Sequence, residues 1–238
     1  MERPRAVLLD VGGTLWPERF PPIVDRDALL LGRLREALPV LSEQAAASLL
    51  AEFDSRSGRL GAALTQDSDG LIAACAAQQE LSIAWNEVML ARRALCIPVA
   101  RYIAPFPGAL ELLEDIKRRG LCLVVVSNAI TRDGETYLQD FAAFGSNSCI
   151  DGVVSSVDVG FRKPHLAMFE TALRVAGCAP GLCVMAGNSE VNDIEPAHAL
   201  GMRTVRVCIE EPPPIETAVD AVVTSLNELA AVIEEWST

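Results

Sequence analysis

No CxxC pair occurs in the 238-residue sequence, although it holds seven cysteines. An odd number without paired spacing argues against a disulfide framework and for reduced thiols. Cys122, Cys183 and Cys208 lie inside apolar runs and are expected to be buried. No uninterrupted apolar run approaches the roughly 18 residues that a membrane span needs. The N-terminus reaches Asp10 before the apolar segment of a signal peptide develops, so a soluble, cytoplasmic protein with no membrane partner is expected. Basic residues are few. Lys and Arg number 20 against 32 Asp and Glu, for a formal net charge of −12 and a pI of about 4.6. The basic pieces are as short as Lys117-Arg118-Arg119, which does not suffice to track a phosphate backbone, so no nucleic-acid partner is expected.

Hydrophobic residues, by contrast, make up half of the chain. A sizeable core is therefore available and disorder is not expected. Short Val- and Leu-rich runs recur: AVLL (6–9), LCLVVV (121–126), GVVSSV (152–157), LCVMA (182–186) and TVRVCI (204–209). Runs of this kind suit parallel strands buried on both faces. Helical stripes lie between most of them. Ala109, Leu112, Leu113 and Ile116 form one stripe, closed by Gly120. Leu166, Phe169, Leu173 and Ala176 form another, with Pro164 in the first turn and Gly177 past the end. Leu226, Leu229, Ala230 and Ile233 form a third. Strand and helix thus alternate from about 105 to 236, which predicts an α/β fold with a parallel, Rossmann-like sheet flanked by helices.

Residues 17–104 break that rhythm. Leu30, Leu31 and Leu34 after Asp27, then Ala46, Leu49, Leu50 and Phe53, repeat at helical spacing. LIAACAAQQ (71–79) and WNEVMLARRAL (85–95) read as helices too. Ser42 and Asp67 are N-cap signals. The expected organisation is an α/β core of residues 1–16 and 105–238, with an all-helical segment, 17–104, inserted after the first strand. EEPPP (210–214) reads as a stiff connector.

Ligands of open parallel sheets bind at the carboxyl ends of the strands. Asp10 closes the first apolar run, Ser127-Asn128 closes LCLVVV, and Gly187-Asn188-Ser189 closes LCVMA. Lys163 stands just before a helix start. One crevice could therefore gather a carboxylate, a hydroxyl, an ammonium and a second carboxylate, Asp193.

In DVGGTL (10–15), VVVSNA (124–129), FRKPHLAMFE (161–170) and AGNSEVND (186–193), taken in that order, the chain resembles the haloacid dehalogenase-like hydrolase superfamily. The resemblance covers the α/β part, about two-thirds of the chain. It implies that the helical insertion is a cap over the active site. It further implies that Asp10 is a nucleophile forming an aspartyl ester or phosphate and that Thr14 orients its loop. Ser127 and the backbone at Asn128 would bind an anionic group. Lys163 would neutralise charge at the nucleophile. Mg²⁺ would be held by Asp10, the carbonyl of Gly12, Asn188 and Asp193. The expected partner is a small-molecule substrate, met by a monomer or homodimer.

Two positions depart from the superfamily's phosphatases. Their second aspartate, which protonates the leaving group and then activates water, is Gly12 here. Their fourth segment opens Gly-Asp, where this chain has Gly187-Asn188, one anionic ligand fewer. Three readings follow: a phosphatase on a small phosphorylated metabolite, a carbon–halogen hydrolase of the 2-haloacid dehalogenase type, and a catalytically weak binding or regulatory member. Against the second stand Glu190, where those dehalogenases have asparagine three residues before the retained aspartate, and Gly12, where they have an aromatic residue. His165 and His198 read as surface or packing residues. Trp16, Phe20 and Trp85 read as core aromatics.

Overall fold

The computed structural model describes residues 2–213 and 219–238. Among the described residues, six strands form one parallel sheet in the order β3-β2-β1-β4-β5-β6. They are β1 (Ala6–Leu9), β2 (Cys122–Ser127), β3 (Gly152–Ser155), β4 (Cys183–Gly187), β5 (Arg203–Val207) and β6 (Ala221–Val223). β1 lies between β2 and β4, with Leu9 in register with Val125 and Ala186. Successive residues of a strand face opposite sides, and both sides are packed. Val7, Leu9, Val125, Val184 and Val205 join a cluster on one side, while Ala6, Leu8, Val124 and Met185 join another on the opposite side. This double burial is why the strands read as continuous apolar runs rather than alternating ones.

Five helices follow β1: α1 (Arg26–Ala37), α2 (Glu43–Ala62), α3 (Ser68–Gln78), α4 (Trp85–Ala94) and the short α5 (Val99–Tyr102). The first four enclose a third apolar cluster built on Leu30, Leu34, Leu49, Phe53, Ile72, Val88 and Ala91. The Asp67 side chain accepts from the Gly70 N–H, and Ser42 Oγ from the Ala45 N–H. These are the start signals read in the sequence, each satisfying a donor that a helix leaves unpaired at its first turn. Then come α6 (Ala109–Arg118), α7 (Gly134–Ala143), the single turn α8 (Ser156–Val159), α9 (Leu166–Ala176), α10 (Glu195–Ala199) and α11 (Leu226–Ser237). α6 and α11 cover one face of the sheet through Leu112, Leu113, Leu229 and Ile233, and α9 covers the other through Met168, Phe169 and Ala172. Among the described residues, no helix is long and apolar enough to cross a membrane.

Several expectations need correction. α9 begins at Leu166 with His165 as its N-cap, so Pro164 lies before the helix rather than in its first turn. Its buried stripe is rotated by one position: Met168 and Ala172 are enclosed, whereas Leu166 is 49 % exposed. GVVSSV is strand only to Ser155, after which the chain turns into α8. β6 was not foreseen; a strand of three residues offers too little pattern. Trp85 is 61 % exposed rather than in a core. Cys183 and Cys208 are buried as expected, but Cys122 is half-buried, and all seven cysteines are free thiols. Of the 210–214 connector, Pro214 lies outside the described residues.

The helical segment is tied to the core by buried polar bonds as well as by packing. Arg92, in α4, donates to Asp69, to the Thr131 carbonyl and to Asp133, and Arg93 donates to the same Asp133. Burial alone would raise the Asp133 pKa. The Thr136 hydroxyl and N–H and the two guanidiniums outweigh it and hold the carboxyl at about 2, against an ordinary 3.8. A carboxyl depressed on folding stabilises the fold above its unfolded pKa, and that contribution is lost as pH falls through the folded value. Asp133→Asn is therefore expected to cost about 1–2 kcal/mol at pH 7, discounting for the solvent around Arg93. Urea denaturation at stepped pH checks it: the gap between wild type and variant should narrow from pH 4 downward and close near pH 2.

Candidate active site

The loops after β1, β2 and β4 meet at one end of the sheet and open onto a cavity of about 540 Å³. Asp10 follows β1 directly, and its backbone N–H donates to the Ala186 carbonyl, at 3.0 Å. The chain then turns sharply. Thr14 and Leu15 both return their N–H groups to the Val11 carbonyl, and Gly13 donates to the Trp16 carbonyl at 2.8 Å. Gly13 holds φ +72°, and a side chain there would collide with the Asn188 amide, 2.2 Å from its Cβ. Both facts require glycine at 13. Gly12 meets neither condition. Its φ is not in the left-handed region, and a Cβ there would find only ordinary contacts.

Asp10 is 7 % exposed, so its charge needs compensation. Thr14 Oγ1 donates to Oδ2 at 3.1 Å, and Lys163 Nζ donates to Oδ1 at 2.6 Å. Lys163 is itself buried. Its ammonium also donates to the Val126 carbonyl at 2.8 Å and sits 2.6 Å from Asp193 Oδ1. Two hydrogen bonds and one close ion pair thus surround the ammonium. Burial would lower the Lys163 pKa, but the charges of Asp10 and Asp193 overcome it and push the group above its ordinary range. Burial pushes the Asp193 carboxyl upward; Lys163 opposes that and the charge of Asp10 adds to it. The Ser189 N–H donates to Asp193 Oδ2 at 3.0 Å. Gly187 leaves room for this carboxylate, since a Cβ there would lie 2.5 Å from it.

The Asn128 amide is not free for a ligand. It accepts from the Lys163 N–H at 2.7 Å and donates to the Lys163 carbonyl at 3.0 Å, pinning the lysine's backbone. The Ser127 hydroxyl shares a 2.7 Å hydrogen bond with Tyr137. Asp10, Gly12, Ser127, Asn128, Lys163, Asn188 and Asp193 all line the cavity. Thr14 reaches the site only through Asp10. His198 is exposed on α10, away from the cavity lining, and the His165 ring stacks on Phe161 at 4.0 Å. The Trp16 ring packs against Phe141 and Phe144, as expected of a core aromatic, and Trp16 and Phe20 also line the cavity.

Glu18, Arg132, Tyr137, Arg162 and Arg206 also line the cavity and were not singled out in the sequence. The guanidinium of Arg162 donates to Gln66 Oε1 and to the Ala129 carbonyl, and among the described residues it has no carboxylate partner. Burial lowers its pKa. Arg206 could have been noticed, since it is a charge inside the run TVRVCI. Tyr137 and Glu18 carry no such signal.

Asp10, the Gly12 carbonyl, Asn188 and Asp193 are all hard oxygen donors facing one space, which is the donor chemistry Mg²⁺ takes. Two carboxylates are present rather than three, and Asp193 Oδ1, buried, receives no well-aligned hydrogen bond. The set fits a weakly held Mg²⁺.

The family model for haloacid dehalogenase-like hydrolases matches residues 4–201. The glyceraldehyde 3-phosphate phosphatase of Methanothermobacter thermautotrophicus is 40 % identical over 106 residues, 44 % of this chain and 45 % of that one. The protein of the same name from Methanocaldococcus jannaschii is 30 % identical over 135 residues, 56 % and 58 % of the two chains. The chain thus spans about half the length of the curated relatives it matches. A HAD phosphatase from Thermococcus onnurineus superposes over 96 % of this chain and 97 % of its own, with a TM-score of 0.60 and 21 % identity, a likeness of fold.

Proposed function

The chain belongs to the haloacid dehalogenase-like hydrolases, and we propose that it is a phosphatase of a small phosphorylated metabolite, acting through an aspartyl phosphate on Asp10. One observation carries the reading. A buried aspartate at a strand end, with both oxygens oriented by Thr14 and Lys163, faces a cavity that also presents Arg162, which has no carboxylate partner among the described residues. A carboxylate aimed at a cationic pocket suits attack on an anionic phosphoryl group. The phosphatase relatives support the same class of substrate.

In this reading the Asp10 carboxylate bonds to phosphorus as the ester oxygen departs. Ser127, the Asn128 N–H and Arg162 hold the phosphoryl oxygens. Lys163 orients the Asp10 carboxylate and offsets charge as it builds. Asp10, the Gly12 carbonyl, Asn188 and Asp193 would hold Mg²⁺, which neutralises charge on the phosphoryl group when bound. The segment 17–104 acts as a cap on the 1–16 and 105–238 core and closes the pocket through Gln66, whose amide oxygen meets Arg162.

A panel of small phosphate esters and 2-haloacids, each with Mg²⁺ and with chelator, tests the reading. Metal-dependent phosphate release with a phosphoryl mass on Asp10 is the expected result. Halide release without metal overturns it. The metal site has its own check. Asn188→Asp returns a charged ligand beside Asp193 and should tighten Mg²⁺ binding about tenfold in calorimetric titration. Unchanged affinity would mean that position 188 does not face the ion.

A further inference from the structure

The loop after β1 folds back so that residue 16 pairs with Gly12, and this brings Glu18 over the face of Gly12 where a side chain would project. A Cβ on Gly12 would lie 3.5 Å from Glu18 Cγ and 3.5 Å from its Cα. The Glu18 side chain therefore runs beside the position that a side chain at 12 would take, and Glu18 lines the same cavity as Asp10. The other acidic side chains nearby are engaged. Asp193 is bound by Lys163 and Ser189, while Glu190 and Glu211 face Arg206 at 3.9 and 4.0 Å. Glu210 takes the Glu18 N–H at 3.4 Å, which helps hold the loop in place. Among the described residues, the Glu18 carboxylate itself has no hydrogen-bond or ion-pair partner.

We propose that Glu18 is the proton carrier of the reaction, supplying from six residues downstream the acid–base group that Gly12 lacks. The inference rests on the phosphatase reading. In the first step the Asp10 carboxylate bonds to phosphorus, the bond from phosphorus to the ester oxygen breaks, and the Glu18 carboxyl gives its proton to that oxygen, so an alcohol leaves. In the second step the Glu18 carboxylate takes a proton from water and the water oxygen bonds to phosphorus. The Asp10–phosphorus bond then breaks, returning the Asp10 carboxylate and releasing phosphate. General acid–base help of this kind is worth about 10²–10⁴-fold, and more to a poor leaving group than to a good one.

Glu18→Gln keeps size and shape at an exposed position, so the variant should fold as wild type. With an alkyl phosphate, its phosphoenzyme should form about 100-fold more slowly. With 4-nitrophenyl phosphate, whose leaving group departs unprotonated, the burst of nitrophenolate should keep its rate within about threefold. Steady-state turnover should slow, and phosphorylated enzyme should accumulate in intact mass spectra, because water attack has lost its base. Wild-type rates on both esters with no accumulation would overturn the role of Glu18 while leaving the phosphatase reading standing. If wild type itself released no phosphate from either ester and carried no phosphoryl group on Asp10, that reading would fall and this inference with it.

Discussion

Asp10→Asn is expected to lower turnover of any phosphate-ester substrate by roughly 10⁴-fold or more, the scale seen when a covalent nucleophile is removed. The amide carbonyl can still accept from Lys163 where Oδ1 does now, and the Thr14 hydroxyl can turn to accept from the new amide, so the loop keeps its shape. What is lost is the electron pair that attacks phosphorus. Stability should respond differently from activity. Asp10 now both attracts Lys163 and repels Asp193, whose carboxyl is pushed upward partly by that charge. Removing one charge loses the attraction and relieves the repulsion, and the Lys163–Asp193 pair remains. Unfolding free energy should therefore stay within about 1 kcal/mol of wild type. Initial rates and urea unfolding, measured on one preparation, check both halves. A variant that turned over normally would place the chemistry elsewhere, and one that failed to fold would make Asp10 a structural anchor instead.

This separation of chemistry from scaffold also marks how far the sequence could be read. The parallel sheet was legible because strands buried on both faces leave unbroken apolar runs, and Leu8 and Leu9 illustrate it by entering opposite clusters. Asp10, Ser127, Lys163 and Asp193 were legible because each stands at a strand end or helix approach, where a polar residue after an apolar run has few other reasons to be. The face of α9 was misread because leucines at 166 and 173 outweighed Met168 and Ala172 in the pattern, while the sheet selected the residues that fit beneath it. Glu18 and Tyr137 could not be read at all. Glu18 reaches the cavity only because Gly13 adopts a left-handed φ and turns the loop back on itself, and Tyr137 only because α7 packs its ring beneath Ser127. Neither contact leaves a trace in spacing or composition. The same loop geometry shows that Gly12 is not there for conformational freedom, as Gly13 is, so its missing carboxylate is a chemical difference rather than a backbone requirement.

Lys163→Met should damage both stability and activity. Methionine replaces most of the buried stem, so packing is largely kept, but the ammonium that three acceptors share is gone. Asp10 and Asp193 then face each other with no cation between them, and two buried carboxylates that close cannot both remain ionised. One must take up a proton or the loops must part. Removing one partner of a buried ion pair costs about 3–5 kcal/mol, because the other charge is left stranded. Turnover should fall by about 10²–10³-fold or more, the size of effect that a single preorganised donor has on a developing anion. A second variant separates electrostatics from lost packing. In Lys163→Met with Asp10→Asn, only one buried carboxylate is left, and Asp193 retains the Ser189 N–H. The double variant should therefore be more stable than Lys163→Met alone by about 1–3 kcal/mol, although each single change removes a contact. Urea unfolding of the four proteins of this cycle in metal-free buffer gives the coupling directly. Additive losses would mean that Lys163 contributes packing alone, and the compensated triad at the end of β1 would have to be abandoned.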